Sequence, residues 1–170
     1  YASEGEWEPF VNESKDGYDA IEWLAKQSWA NGKVGMVGAS YLGWVQFLAA
    51  VQKPPHLLTI IPNVAPPDPF YNIPYEYGSF FILASLWWAE MVEKEAASDI
   101  TMKKFFEVSD RDYAKDLDHL PVIDLDLKIF GKKNSYWRKW VKHNTNDSYW
   151  ERASYLDKLE DLDIPVFLQS

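Results

Sequence analysis

The chain contains no cysteine, which excludes a disulfide framework, a thiolate nucleophile and any cysteine-based metal site. That absence leaves cytoplasmic and exported locations equally open. Basic charge is also scarce. Seventeen Lys and Arg stand against 26 Asp and Glu, a formal charge of −9, and no basic cluster exceeds two residues, as at Lys132-Lys133. Without an arginine-rich stretch or aromatic–basic interleaving, nucleic acid is not expected as a partner. No apolar run approaches the ~20 residues needed to span a bilayer, so no membrane segment is expected. No His/Asp/Glu spacing suggests a metal site, and no cofactor is expected. The start, Tyr1-Ala2-Ser3-Glu4-Gly5, has neither an initiator methionine nor a signal-peptide pattern, and the strand-like end, Ile164 to Ser170, has nothing after it. Both ends read as cut, so the chain is expected to be a piece of a longer protein.

What is present describes a folded chain. Its 170 residues have room for one domain, or one domain with a modest insertion. Apolar residues make up 47% and charged residues 25%, an ordinary globular balance. Aromatic residues are abundant, with 9 Trp, 10 Tyr and 9 Phe. They suit a filled core or an aromatic-lined pocket, and composition alone favours the core.

Periodicity orders the first third of the chain. Tyr18, Ile21, Leu24 and Ala25 fall on one helical face, with Asp16 read as the N-cap and Asn31-Gly32 as the stop. Val34, Gly35, Met36 and Val37 form a short apolar run that reads as a buried strand over 33–39. A helix follows from about 41 to 52, closed by Pro54-Pro55, and Leu57 to Ile61 reads as a second buried strand. Helix, strand, helix, strand at this spacing indicates a parallel sheet with covering helices. Pro62 to Pro74 holds five of the ten prolines and reads as an irregular crossover. A long helix is predicted over Gly78 to Glu95, with Phe81, Ala84, Trp88 and Met91 on its apolar face. Further helices are predicted at about 100–117 and 134–142, with a break at Leu120 to Asp124 and a short helix at most between Tyr149 and Leu156. The sheet resumes at 164–169.

The segment that carries chemistry is Gly38-Ala39-Ser40-Tyr41-Leu42-Gly43. A serine pinned by small residues between a strand and a helix has its hydroxyl pushed out above the sheet. The amides that follow sit at a helix N-terminus, where negative charge is stabilised. An exposed nucleophile beside an oxyanion donor is what acyl transfer needs. An isolated Gly-x-Ser is more often an ordinary turn; the flanks here argue otherwise.

Asp16-Gly17-Tyr18-Asp19-Ala20-Ile21-Glu22-Trp23-Leu24-Ala25, the Gly32–Gly43 string and Pro66-Pro67-Asp68-Pro69-Phe70-Tyr71 together resemble the α/β-hydrolases grouped with cocaine esterase, X-Pro dipeptidyl-peptidase and glutaryl-7-aminocephalosporanic acid acylase. The segment from Trp140 to Trp150, with His143, Asp147, Tyr149 and Trp150, is similar to the end of that family's helical cap. The elbow has its glycine at Gly43, one place later than in the commoner Gly-x-Ser-x-Gly. The resemblance implies an α/β fold, part of an α/β-hydrolase core with an inserted all-helical cap. Residues 1–66 would form the core segment with the elbow, 67–153 the cap, and 154–170 the return to the sheet. It also implies Ser40 as nucleophile and the Tyr41 backbone N–H as an oxyanion donor. Tyr75, Trp87 and Trp88 match the positions that wall the acyl pocket. Adjacent helix positions point about 100° apart, so Trp87 and Trp88 cannot both face one pocket, and one of them is expected to pack in the core.

The family's catalytic acid follows the strand that is 164–169 here, its histidine comes later, and its second oxyanion donor, a tyrosine, precedes this segment. All three lie outside the chain. Of the histidines present, none of His56, His119 and His143 occupies the family's base position, and Asp68 and Asp147 are read as capping and loop residues. Glu76 and Glu90 would suit a substrate ammonium, although solvated surface charge explains them better. The expected function is a serine hydrolase acting on a small-molecule ester, an amide or a peptide through an acyl-enzyme at Ser40. A peptidase of the X-Pro dipeptidyl type is the alternative, and a non-catalytic core-plus-cap module is the rival from another class. Self-association is left open.

Overall fold

The computed structural model describes residues 7–93 and 115–170. The chain divides into two compact units, Tyr1–Asn72 with Ser148–Ser170, and Ile73–Asp147.

The first unit is built on α1 (Glu13–Ala25), β1 (Val34–Ala39), α2 (Tyr41–Ala50) and β2 (Leu57–Asn63). β1 and β2 pair in parallel from Val34↔Leu57 to Ala39↔Asn63. Parallel neighbours need a crossover, and α2 supplies it. The strand read at 164–169 adds to the other edge of β2 as two parallel bridges, Ile60↔Val166 and Asn63↔Gln169. The Phe167 amide donates to the Ile60 carbonyl at 3.1 Å and the Val64 amide to the Gln169 carbonyl at 2.8 Å.

α2 is apolar on nearly every side, and Trp44, Phe47, Leu48, Ala49 and Ala50 are buried, as in a helix enclosed by its neighbours. Phe10 lies 4.5 Å from the Trp44 ring, and Tyr155 stacks on Phe47 at 4.6 Å and 13°. The Trp44 indole donates to the Ala153 carbonyl at 3.2 Å. The segment after the short helix Ser148–Glu151 is thereby drawn back onto α2. α1 meets α2 at Gly17, where a Cβ would stand only 2.8 Å from the Ala49 Cβ.

Three details differ from the reading of the sequence. α1 starts at Glu13, so Asp16 is not its cap; Asn12 takes the cap position without a side-chain capping bond. Glu13 and Asp16 instead lie in the first turn, where negative charge suits the helix dipole. α1 also stops at Ala25 rather than at Asn31-Gly32, which turn the chain into β1: the Lys33 amide donates to Asn31 Oδ1 at 3.0 Å, and Gly32 has φ 76°. Finally, β1 is not buried on both sides. Its exposure alternates along the strand, and Val37 is 76% and Phe167 59% exposed. Alternation of this kind means that one sheet face is covered and the other is open.

The second unit contains a small antiparallel hairpin, β3 (Tyr75–Glu76) and β4 (Ser79–Phe80), followed by α3 (Ile82–Glu93), a 3-10 turn (Val122–Asp124), α4 (Leu125–Phe130) and α5 (Ser135–Lys142). The block predicted as all-helical therefore opens with strands. Tyr77 and Gly78 both take positive φ, 47° and 86°, as a tight two-residue hairpin turn requires. Gly78 belongs to that turn, which is why the predicted helix starts later, at Ile82. The break at Leu120 to Asp124 is the 3-10 turn. The unpredicted α4 follows it and ends on left-handed Gly131 at φ 72°. All but residues 115–117 of the helix predicted at about 100–117 lie outside the described residues.

A buried carboxylate joins these helices. Asp126, 0% exposed, accepts from Arg138 Nε at 2.7 Å and Nη2 at 2.8 Å, from the Leu127 amide at 2.7 Å and from the Asn134 amide at 2.8 Å. Arg138 Nη2 also reaches Asp124 at 2.7 Å. Buried Asn134 caps α5 by accepting from the Trp137 amide at 2.9 Å and donates to the Ala89 carbonyl of α3 at 2.9 Å. Charge-assisted bonds of this density satisfy a carboxylate that would otherwise be costly to bury. Removing one partner strands the other. Asp126→Ala is expected to destabilise the protein by about 3–5 kcal/mol, read from denaturant unfolding followed by tryptophan fluorescence; a loss below about 1 kcal/mol would show that the pair behaves like a surface ion pair.

Candidate active site

β1 ends at Ala39 and α2 begins at Tyr41, so the whole change of direction falls on Ser40. Ser40 has φ 57° and ψ −121°, a region that L side chains rarely adopt and that costs of order 1–3 kcal/mol. Its neighbours hold it there. The Ser40 amide donates to the Asn63 carbonyl at 2.8 Å, and the Ser40 carbonyl accepts from the amides of Gly43 at 2.9 Å and Trp44 at 3.0 Å. The residue is exposed. The Tyr41 amide opens α2, where the helix dipole favours negative charge, while the Tyr41 ring packs edge-on against Phe10 at 5.0 Å.

Both glycines flanking the serine are required by space. A Cβ on Gly38 would stand 2.7 Å from the Leu42 Cβ, and one on Gly43 would stand 2.9 Å from the Ala65 Cβ and 3.1 Å from the Asn63 carbonyl oxygen. Distances below 3.0 Å force something to move. Gly43 thus permits the close approach of helix to strand. Below the turn lies Gln46, 1% exposed. Its Nε2 donates to the carbonyls of Leu42 at 2.8 Å and Gly38 at 3.1 Å, and its Oε1 accepts from the Ile61 amide at 3.0 Å. The reading of the sequence passed over Gln46, although a lone glutamine inside an otherwise apolar helix was the available signal.

The histidines are engaged within their own units. His56 Nδ1 lies 2.8 Å from Glu22, and His143 Nδ1 lies 2.7 Å from Asp147; the His119 amide closes a turn onto the Asp116 carbonyl at 3.1 Å. Buried Asp68 accepts from the amides of Phe70 and Tyr71 at 2.8 and 2.9 Å and from Ser154 Oγ at 3.0 Å, which is loop capping. Among the described residues no group of three His, Asp or Glu is placed to hold a metal.

Residues 1–170 match the family model described as X-Pro dipeptidyl-peptidase (S15 family) along their whole length. The chain belongs to this family. It is 38% identical over 94 residues to the cocaine esterase of Rhodococcus sp. (strain MB1 Bresler), a match that covers 54% of this chain and 16% of the esterase. Among solved structures it is similar to a CocE/NonD family hydrolase from Staphylococcus aureus, with 23% identity and TM-score 0.65 over 97% of this chain and 24% of the other. It is also similar to an α-amino acid ester hydrolase, with 21% identity and TM-score 0.72 over 99% of this chain and 30% of the other. These likenesses establish a fold of α/β-hydrolase type. The chain spans less than a third of the length of each of these relatives.

In this S15-family chain the residues singled out from the sequence fall into two groups. Ser40 and Tyr41 adjoin at the strand-to-helix reversal of the first unit, and Tyr75, Trp87 and Trp88 lie in the second. Tyr75 is 3% exposed, packs on Phe80 at 4.7 Å and donates its hydroxyl to the Trp140 carbonyl at 3.0 Å. Trp88 lies 5.4 Å from the Trp140 ring and, like its neighbour, is not fully buried. Trp87 is half-buried.

Burial, and after it the negative charge of Asp147, pushes the Tyr75 phenol up to about 12 from its ordinary 10.0. A phenol raised in the folded state keeps its proton while the unfolded chain loses it, so its stabilising contribution is complete below pH 10 and disappears between about pH 10 and 12. Tyr75→Phe is expected to flatten that part of the alkaline stability curve and to remove one late tyrosinate step, above the ordinary phenol range of about 10, from the ultraviolet absorbance titration. Loss of a step near the ordinary value of about 10 instead would show that Tyr75 ionises normally.

Proposed function

We propose that this chain carries the nucleophile segment of a serine hydrolase that cleaves an ester or amide bond through an acyl-enzyme at Ser40. The observation that carries the reading is the backbone of Ser40, φ 57° and ψ −121°, at an exposed one-residue reversal between a parallel strand and a buried helix. This is the geometry of a nucleophile elbow. Strain of this kind persists where the surrounding structure over-determines it, and it concentrates at functional sites.

In the proposed reaction Ser40 Oγ attacks the carbonyl carbon of the substrate and gives its proton to a general base. The tetrahedral oxyanion accepts a hydrogen bond from the Tyr41 amide, with the α2 dipole behind it. Collapse expels the alcohol or amine, which takes up the proton, and leaves an ester on Ser40. Water then attacks that ester, passing its proton to the base; collapse releases the carboxylic acid, and the base returns the proton to Ser40 Oγ. We place the base and the carboxylate that orients it outside residues 1–170, in the chain order Ser, Asp, His.

We read residues 67–153 as an inserted cap, of which Ile73–Asp147 form one compact unit. Tyr75, Trp87 and Trp88 are the candidate substrate-contacting residues that the family resemblance supplies. The substrate class that follows is a small ester or amide, or a peptide. The S15 description favours a peptidase of the X-Pro dipeptidyl type as the second reading. None of these steps needs a cofactor.

A fluorophosphonate probe tests the assignment. The intact protein is expected to be labelled at Ser40, and Ser40→Ala to lose both the label and, by at least ~10³-fold, ester hydrolysis. Residues 1–170 alone are expected to stay unlabelled, since a serine without its base is a weak nucleophile. Undiminished labelling of Ser40→Ala would sink the proposal, and no labelling of the intact protein would favour a non-catalytic core-plus-cap module.

A further inference from the structure

The strained serine needs something rigid beneath it, and the side chain that bonds to backbone on both sides of it is Gln46. We infer that Gln46 is a positioning residue of the acyl-transfer site: its side-chain amide holds the reversal at Ser40 open so that Ser40 Oγ and the Tyr41 amide converge on one substrate carbonyl. The inference rests on the reading of Ser40 as a nucleophile.

A glutamine amide offers two N–H donors and an acceptor oxygen. In Gln46 both donors are used on carbonyls, those of Gly38 and Leu42, and the oxygen is used on the Ile61 amide. Gly38 lies two residues before Ser40 and Leu42 two residues after it. Ile61 belongs to β2, the strand whose Asn63 carbonyl fixes the Ser40 amide. One side chain thus ties the approach to the turn, the exit from it and the adjacent strand into one frame. At 1% exposure these bonds are shielded from bulk water, and a buried polar group left without its partner costs about 1–3 kcal/mol. That is the same range as the strain at Ser40, so the amide is large enough to decide whether the turn keeps its positive φ. An apolar residue would fill the space equally well, and every other buried side chain of α2 from Trp44 to Ala50 is apolar. An amide at this one position is therefore explained by the backbone it holds.

Relaxation of the turn would swing Oγ and the Tyr41 amide apart, and a misplacement of about 1 Å at a reacting group costs about 10²-fold in rate. The test uses the intact protein with two variants of nearly the same shape. Gln46→Met removes all three bonds. Gln46→Glu keeps the acceptor for Ile61 and, when protonated, one donor. Both are compared with Ile21→Ala, a core truncation in α1 far along the chain from the turn. At a temperature well below every Tm, Gln46→Met is expected to slow fluorophosphonate labelling at Ser40 and kcat for a small activated ester by about 10–100-fold, with KM little changed. Ile21→Ala is expected to lower Tm while labelling at the wild-type rate. For Gln46→Glu the ratio of its labelling rate to that of the wild type should rise as pH falls from about 8 to about 5, the range in which a buried carboxyl takes up its proton. The ionised carboxylate of that variant would face two carbonyl oxygens, whereas the neutral acid, favoured by burial, restores a donor. If the wild type is labelled and the folded Gln46 variants label as fast, or the ratio for Gln46→Glu is flat with pH, the role of Gln46 is wrong and Ser40 stands. If the folded wild type is not labelled at Ser40, the acyl-transfer reading fails and this inference fails with it.

Discussion

Between β1 and α2 the chain reverses within one residue, and the torsions of Ser40 are the constraint around which the first unit is arranged. A side chain at φ 57° is tolerated only if the peptides on both sides have nowhere better to go. Here the amide is held by β2 through Asn63 and the carbonyl by the first turn of α2 through Gly43 and Trp44. Both anchors exist because β2 runs parallel beside β1 in a fixed register, which in turn needs α2 as the crossover. The reversal and the βαβ unit are therefore one object. Loosening the register would release the serine, and relaxing the serine would unseat the start of the helix.

The second unit is held in a different way. Its helices are short, and the elements from α3 to α5 are joined by polar bonds that converge on Asp126, Asn134 and Arg138. A buried carboxylate is weak evidence for net stability, but it can specify how elements meet, because alternatives leave charges unpaired. Short helices that gain little from their own propensity are suited to such a device. The aromatic residues then fill the remaining space: Trp137 donates to the Ile123 carbonyl at 2.9 Å, and Tyr75 and Trp88 pack around Trp140.

The parts of the fold that were legible in the sequence are those where one local rule acts alone. The apolar runs at Val34 and Leu57 gave strands, and the largely apolar stretch after Tyr41 gave α2. The helix predicted at about 134–142 is α5, and the structure shows Asn134 capping it. What was not legible depended on partners that a local pattern does not show. Asp16 looked like a cap, but the amides of Lys15 and Asp16 already close onto the Asn12 carbonyl, which carries the helix back past it. Gly78 looked like a helix start, yet positive φ at Tyr77 as well as Gly78 shows a hairpin, and hairpin strands of two residues carry no readable alternation. At the candidate site the serine and its glycines could be picked out. Gln46 was marked only as the one polar side chain in an apolar helix; its partners, Gly38, eight residues back, and Ile61, fifteen ahead, are not in the local pattern.

The placing of the second glycine shows why a motif is better read as contacts than as letters. In the commoner pattern the position two after the serine is glycine; here it is Leu42, and its Cβ stands 2.7 Å from where a Cβ on Gly38 would be. The crowding at that point is relieved by the glycine before the serine. The glycine after it, moved one place to Gly43, faces a different neighbour: the Asn63 carbonyl and the Ala65 side chain. Asn63 is the residue whose carbonyl holds the Ser40 amide. Gly43 therefore allows β2 to come close enough for its Asn63 carbonyl to hold the Ser40 amide.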